Sequence, residues 1–194
     1  REVLEEARRA GALVVADEIQ AGFYRHGLLA ASERICGAAD VLLFSKSLTN
    51  GLYPLSAVVF PAALEDNLPV GPYGSHTFQT GCLGYRAARA VERWIDTHPV
   101  ADLADVVRDR LAQTADLLEA MSGVVEVHVT GPTLSFATPH AREIVETCAQ
   151  RGVLLFTGSR DGGRVRIAPP LTSPHEQLDW ALAMVQDITE STAN

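Results

Sequence analysis

The sequence predicts an α/β fold: part of a mostly parallel sheet with its helices, followed by a small α+β module. Three observations predict it. The runs Ala12-Leu13-Val14-Val15-Ala16 and Asp40-Val41-Leu42-Leu43-Phe44 are apolar without alternation, as strands buried on both faces of a parallel sheet are. Between and after them lie stretches with apolar residues at helical spacing. Beyond residue 122 the rhythm changes to strand-like runs around Gly-Pro and Gly-Gly turns.

Each element follows from its residues. Residues 1–10 read as the end of an amphipathic helix, with Val3, Leu4 and Ala7 on one face and Gly11 as the stop. The first strand then ends on Asp17 and Glu18. A helix is expected over about 30–36, a second strand at 40–44 ending on Ser45-Lys46, a third from Leu55 to Phe60, and a helical turn over 62–68. Residues 80–97 and 102–122 carry amphipathic helical patterns. Strands are expected at 124–129 and 133–137 around Gly131-Pro132, a helix over 140–150, and strands at 153–156 and 164–168. Ser173-Pro174, with Glu176, is placed to cap the last helix, whose final five residues should fray. The break at Thr97-His98-Pro99 divides residues 1–98, a strand–helix domain, from residues 99–194, a compact α+β domain.

The chain has 194 residues, room for one domain or one and a half small ones. Its 47% hydrophobic and 21% charged residues exclude gross disorder and collagen-like structure. A formal charge of -8, from 24 acids and 16 bases, argues against a nucleic-acid or anionic-membrane surface. No apolar run approaches the ~18 residues of a membrane span. Cys36, Cys82 and Cys148 are too few and too irregular for a disulfide framework, and the six histidines lack metal-ligand spacing. A cytoplasmic protein with reduced thiols and no metal is expected.

Chemistry concentrates where the first two strands end. Asp17 closes one and Lys46 follows the other, 29 residues later. Ligands of open α/β sheets bind outside the carboxyl ends of strands, where a carboxylate and an amine can converge on one molecule. A plain salt bridge is the other reading of the same spacing.

The neighbouring residues form motifs. The stretch from Ala16 to Gly27, ADEIQAGFYRHG, resembles the aspartate-strand motif of class III, fold type I, pyridoxal-phosphate aminotransferases. Ser45 to Val58, SKSLTNGLYPLSAV, resembles the Schiff-base lysine segment of that family, closest in wording to ornithine aminotransferases. Gly74-Ser75-His76-Thr77-Phe78 is similar to its phosphate-contacting turn, and Arg166-Ile167-Ala168-Pro169-Pro170-Leu171 to its C-terminal Arg-x-x-Pro-Pro-Leu element. The resemblance implies part of the fold type I large domain followed by a small C-terminal domain, with pyridoxal 5'-phosphate as cofactor.

It also implies roles. Asp17 pairs with the protonated ring nitrogen, which makes the cofactor an electron sink. Lys46 carries the cofactor and then moves the proton between the substrate's α-carbon and the cofactor, tasks suited to an amine whose pKa a partly desolvated crevice lowers. Ile19 packs on the ring face and Gln20 donates to the ring's phenolic oxygen. Thr77 contacts the phosphate of the neighbouring subunit's cofactor across a dimer interface, and His76 either adds a phosphate contact or fills space. Arg166 holds the substrate's α-carboxylate with its bidentate fork, or else makes a structural ion pair.

Departures from the pattern bear on substrate. Gln79-Thr80-Gly81 stands where the family continues its turn with Gly-Asn-Pro. The family's chains run to roughly twice this length, and the resemblance covers their C-terminal half. The helix N-terminus that cradles the phosphate, the aromatic residue stacked on the ring, and the acid that commonly pairs with the carboxylate-binding arginine lie in the other half. A second chain carrying that N-terminal half is therefore expected, the chain being either a natural half-subunit or a fragment. The expected reaction moves an amino group from an amino acid or ω-amine donor to a keto acid or aldehyde. The alternatives are racemisation, decarboxylation or amino-group migration on the same cofactor, or a non-catalytic stabilising subunit.

Overall fold

In a computed structural model, residues 2–67 and 81–193 are described. The described residues divide into two packing units, those of 2–24, 28–67 and 81–99 and those of 25–27 and 100–193.

The first unit begins with helix α1 (Glu2–Arg9). Gly11 ends it at φ +76°, and the amide of Ala12 returns to the carbonyl of Ala7 at 2.9 Å. Strands β1 (Val15–Asp17), β2 (Val41–Phe44) and β3 (Ala57–Val59) form one sheet in that order. β1 and β2 are parallel, with Asp17 level with Leu43; β2 and β3 are antiparallel. The sheet is thus not parallel throughout. Helix α2 is the short Glu33–Cys36, and α3 spans Cys82–Thr97.

The expectation of strands buried on both faces is corrected. Val14 and Ala16 are buried, but Leu13 and Val15, on the alternate positions, are each 55% exposed, and Val58 and Val59 are exposed too. Successive side chains of a strand point to opposite faces. One face of β1 is therefore covered, and no described element of this unit covers the other.

The second unit builds its own core. Its sheet runs β4 (Val125–Val129), β5 (Leu134–Ala137), β7 (Arg164–Ile167), β6 (Phe156–Gly158), antiparallel throughout. Helices α4 (Val100–Glu119), α5 (Ala141–Gln150) and α6 (His175–Ala193) supply the other layer. Leu111, Leu118, Leu134, Phe136, Ile144, Val165, Val185 and Ile188 interlock with almost no exposed surface. Burial of this kind contributes roughly 1.5–3 kcal/mol for each large aliphatic or aromatic side chain.

Three local expectations change. β6 starts at Phe156, not at Val153. The hydroxyl of Ser173 donates to the carbonyl of Pro170 at 2.8 Å instead of capping α6. The last residues do not fray before Ala193: the hydroxyls of Ser191 and Thr192 both donate to the carbonyl of Ile188, holding the final turn.

Candidate active site

The two strand-end residues come together by register. Asp17 closes β1 opposite Leu43, and Lys46 opens the 3-10 turn Lys46–Leu48 just beyond β2. Both are exposed in this chain. The uncovered sheet face beside them is the physical reason. No ion pair joins them to each other or to any described residue, so the plain salt bridge is not what the spacing makes. Asp17 Oδ1 accepts from the amide of Ile19 at 3.0 Å. That Asx-type bond turns the chain out of the strand and orients the carboxylate. Ile19 is half-buried and Gln20 is exposed beside it.

Lys46 sits at φ +43°, in the left-handed region that β-carbon-bearing residues avoid. Its loop is braced from both sides. The hydroxyl of Ser45 donates to the carbonyl of Leu55 at 2.9 Å, and buried Thr49 donates to the carbonyl of Tyr53 at 2.5 Å. Gly84 of α3 lies so close to Tyr53 and Leu55 that an added β-carbon would stand 3.1 and 3.3 Å from their side chains. These contacts hold Lys46 in a sparsely populated backbone conformation, which costs about 1–3 kcal/mol.

Sequence reasoning missed Glu18. Only 2% exposed, it accepts from the amides of Ala31, at 3.0 Å, and Ser32, at 2.6 Å. Its own amide donates to the carbonyl of Leu43 at 2.9 Å. Glu18 thus ties the end of β1 to β2 and to residues 31–32, fixing the segment that bears Asp17, Ile19 and Gln20. The signal was present: two adjacent acids at a strand end must point to opposite sides, so one faces inward.

His76 and Thr77 lie outside the described residues. Arg166 belongs to the second unit, in β7 between Ser135 of β5 and Phe156 of β6. Arg164, two residues earlier on the same face, is paired with the carboxylate of Glu126 and donates to the Glu126 carbonyl at 2.8 Å. Glu126 reaches it because the register of β4 breaks between Val125 and His128, with Glu126 at φ +49°. Arg166 has no such partner. No ion pair reaches it among the described residues, and its buried Nε–H is without a hydrogen bond.

Among the described residues no three His, Cys, Asp or Glu side chains form a group able to hold a metal ion, and no helix is long and apolar enough to cross a membrane.

An ornithine aminotransferase of Bordetella pertussis is 33% identical over 199 aligned positions, covering 100% of this chain and 47% of that protein. An acetylornithine aminotransferase of Listeria monocytogenes is 28% identical, covering 95% of this chain and 47% of its own. The solved structure of a transaminase from the marine bacterium Virgibacillus superposes with a TM-score of 0.89 over 98% of this chain and 48% of that one, at 20% identity. The chain thus spans about half the length of the curated relatives it matches. Residues 1–189 match the class-III aminotransferase family, and the chain belongs to that family.

Proposed function

We propose that this chain is the lysine-bearing half of a pyridoxal-phosphate-dependent aminotransferase. In this reading it moves an amino group from an amino acid or ω-amine donor to a keto acid or aldehyde. One observation carries the reading: Asp17 and Lys46 stand unpaired at the carboxyl ends of two neighbouring parallel strands, with Lys46 held at φ +43°.

These residues fit the cofactor. Apart from the bond from Ile19 to Oδ1, the Asp17 carboxylate takes no hydrogen bond among the described residues, leaving Oδ2 for a pyridinium N–H. The Lys46 amine is likewise uncommitted, available to the cofactor's aldehyde carbon. When bound, pyridoxal phosphate supplies an electron sink for the bond broken at the substrate's α-carbon. Asp17 would hold the ring nitrogen and keep it protonated by offering it a negative charge. Lys46 would hold the cofactor through its amine and serve as the base that takes the proton from the substrate's α-carbon. Ile19 supports the ring face and Gln20 donates to the phenolic oxygen. Thr77, with His76, serves the phosphate of a neighbouring subunit in a dimer. Arg166 binds the substrate's carboxylate, for which its unpaired guanidinium is suited.

The rest of the fold comes from polypeptide outside these 194 residues. The half-length match to relatives and the uncovered face of β1–β3 both support this. That polypeptide covers the sheet and provides the phosphate cradle and the aromatic residue stacked on the ring, so activity requires it.

The test is covalent trapping in the assembled protein. Borohydride reduction in the presence of pyridoxal phosphate should fix the pyridoxyl group on the peptide containing Lys46. Labelling elsewhere, or labelling undiminished in Lys46→Ala, would overturn the assignment. Amino-donor screening, with the keto product quantified, then separates transamination from racemisation, decarboxylation and amino-group migration.

A further inference from the structure

Residues 18–32 form a loop whose base and tip belong to different units. Glu18 closes the base by accepting from the amides of Ala31 and Ser32. The stem pairs backbone with backbone: the amide of Phe23 donates to the carbonyl of Leu29, and that of Tyr24 to the carbonyl of Leu28, both at 2.8 Å. The tip, residues 25–27, packs with the second unit although both flanks belong to the first.

Three contacts seat the tip. Arg25 donates from an Nη to the carbonyl of Pro169 at 2.7 Å, across 144 residues of sequence. The hydroxyl of Thr133 donates to the carbonyl of Arg25 at 3.3 Å. Gly131, at φ +53°, lies against the backbone of His26 so closely that a β-carbon there would stand 2.4 Å from its carbonyl carbon.

The stem beside the tip is strained. Phe23, at φ +53°, and Tyr24, at φ +64°, are consecutive residues in the left-handed region that β-carbon-bearing residues avoid. Such conformations persist only where the surroundings over-determine them. On the side of the base, the amide of Gly22 donates to the carbonyl of Glu18 at 3.0 Å, and the Phe23 ring stands edge-on to that of Phe44, 5.4 Å away. On the other side the constraint is the seated tip. Ile19 and Gln20 lie between the base and the strained pair, so a tip set free lets the pair relax into the segment that carries them.

We propose that Arg25 is a positioning residue: by fixing the loop tip at Pro169, it holds Ile19 and Gln20 where they meet the cofactor ring. This rests on the reading of Asp17, Ile19 and Gln20 as cofactor contacts and adds a residue that acts through two of them.

The test uses the assembled protein, the chain together with the polypeptide that completes the fold. One readout is hydrogen exchange of residues 18–32 without cofactor. The other is pyridoxal phosphate affinity, followed by the visible circular dichroism of the bound cofactor. R25Q should speed the exchange about tenfold, weaken the cofactor about tenfold and alter the dichroic band, as loss of one hydrogen bond from a charged donor allows. T133V removes only the hydroxyl that donates to Arg25 and should act in the same direction, about threefold on each readout. It keeps the test decisive where R25Q does not fold. I144V loosens the core of the second unit, takes no part in the three contacts, and should move neither readout. Unchanged exchange or unchanged cofactor affinity in a folded R25Q or in T133V overturns the proposal, as does I144V matching T133V. D17N separates the proposal from the reading beneath it. Weakened cofactor in D17N, with R25Q and T133V like the parent, leaves the reading standing and the proposal overturned. Undiminished cofactor affinity in D17N overturns both.

Discussion

The buried carboxylate of Glu18 accepts a 2.6 Å hydrogen bond from the backbone N–H of Ser32, closing a loop that begins at the strand end bearing Asp17. A second acceptor bond, from Ala31, uses the other oxygen. Glu18→Gln keeps the shape but turns an N–H₂ toward one of those donors. It should cost about 1–3 kcal/mol, the penalty for a buried donor left unmatched. Urea unfolding of the chain checks this, and an unchanged midpoint would show that the loop is held elsewhere.

Two glycines with positive φ should respond very differently to a methyl group. At Gly131 the added β-carbon meets the backbone of His26 at 2.4 Å, and φ is +53°. At Gly152, φ is +90° and nothing lies within 4 Å. Gly131→Ala should therefore cost about 2–5 kcal/mol, combining overpacking with the left-handed penalty, while Gly152→Ala should cost only about 1–2 kcal/mol. Thermal unfolding of the two variants in parallel gives the comparison.

The units differ in how much apolar surface they bury. Leu111, Leu118, Leu134, Phe136 and Val165 are closed off in the second, whereas Leu13, Val15, Val58 and Val59 stay exposed in the first. Hydrogen exchange of the chain by itself should show slow amides in β5, β7, α4 and α6 and fast amides in β1–β3. Assembly with the polypeptide that completes the fold should slow β1–β3 selectively. Equal protection in both units before assembly would mean that the first unit needs no cover.

Cys148 is fully buried and Cys82 exposed. Burial pushes the Cys148 thiol above its ordinary 9.0. An acid whose folded pKa is raised ionises first in the unfolded chain, so its contribution is whole below 9.0 and is lost as pH rises through the folded value. At about pH 8, iodoacetamide should alkylate Cys82 rapidly and Cys148 only after unfolding. Stability should then decline above about pH 9, and Cys148→Ala should lessen that decline.

The order of strands and helices is written in local patterns: apolar runs at 12–16 and 40–44, helical spacing over 82–97 and 100–119, turns at Gly131-Pro132 and Gly162-Gly163. Local motifs also marked Asp17, Lys46 and Arg166. These are legible because backbone periodicity and strand-end position depend on neighbours in the chain. Burial and pairing depend on what arrives from far away. The sequence therefore placed Asp17 and Glu18 side by side without telling which faces inward, and showed apolar strands without telling that one face of the sheet is uncovered by this chain. It placed Arg25 in the aspartate motif, yet only the folded chain brings that arginine to Pro169. The tertiary structure decided those points, because hydrogen bonds and packing contacts between distant residues exist only once both segments are held in place.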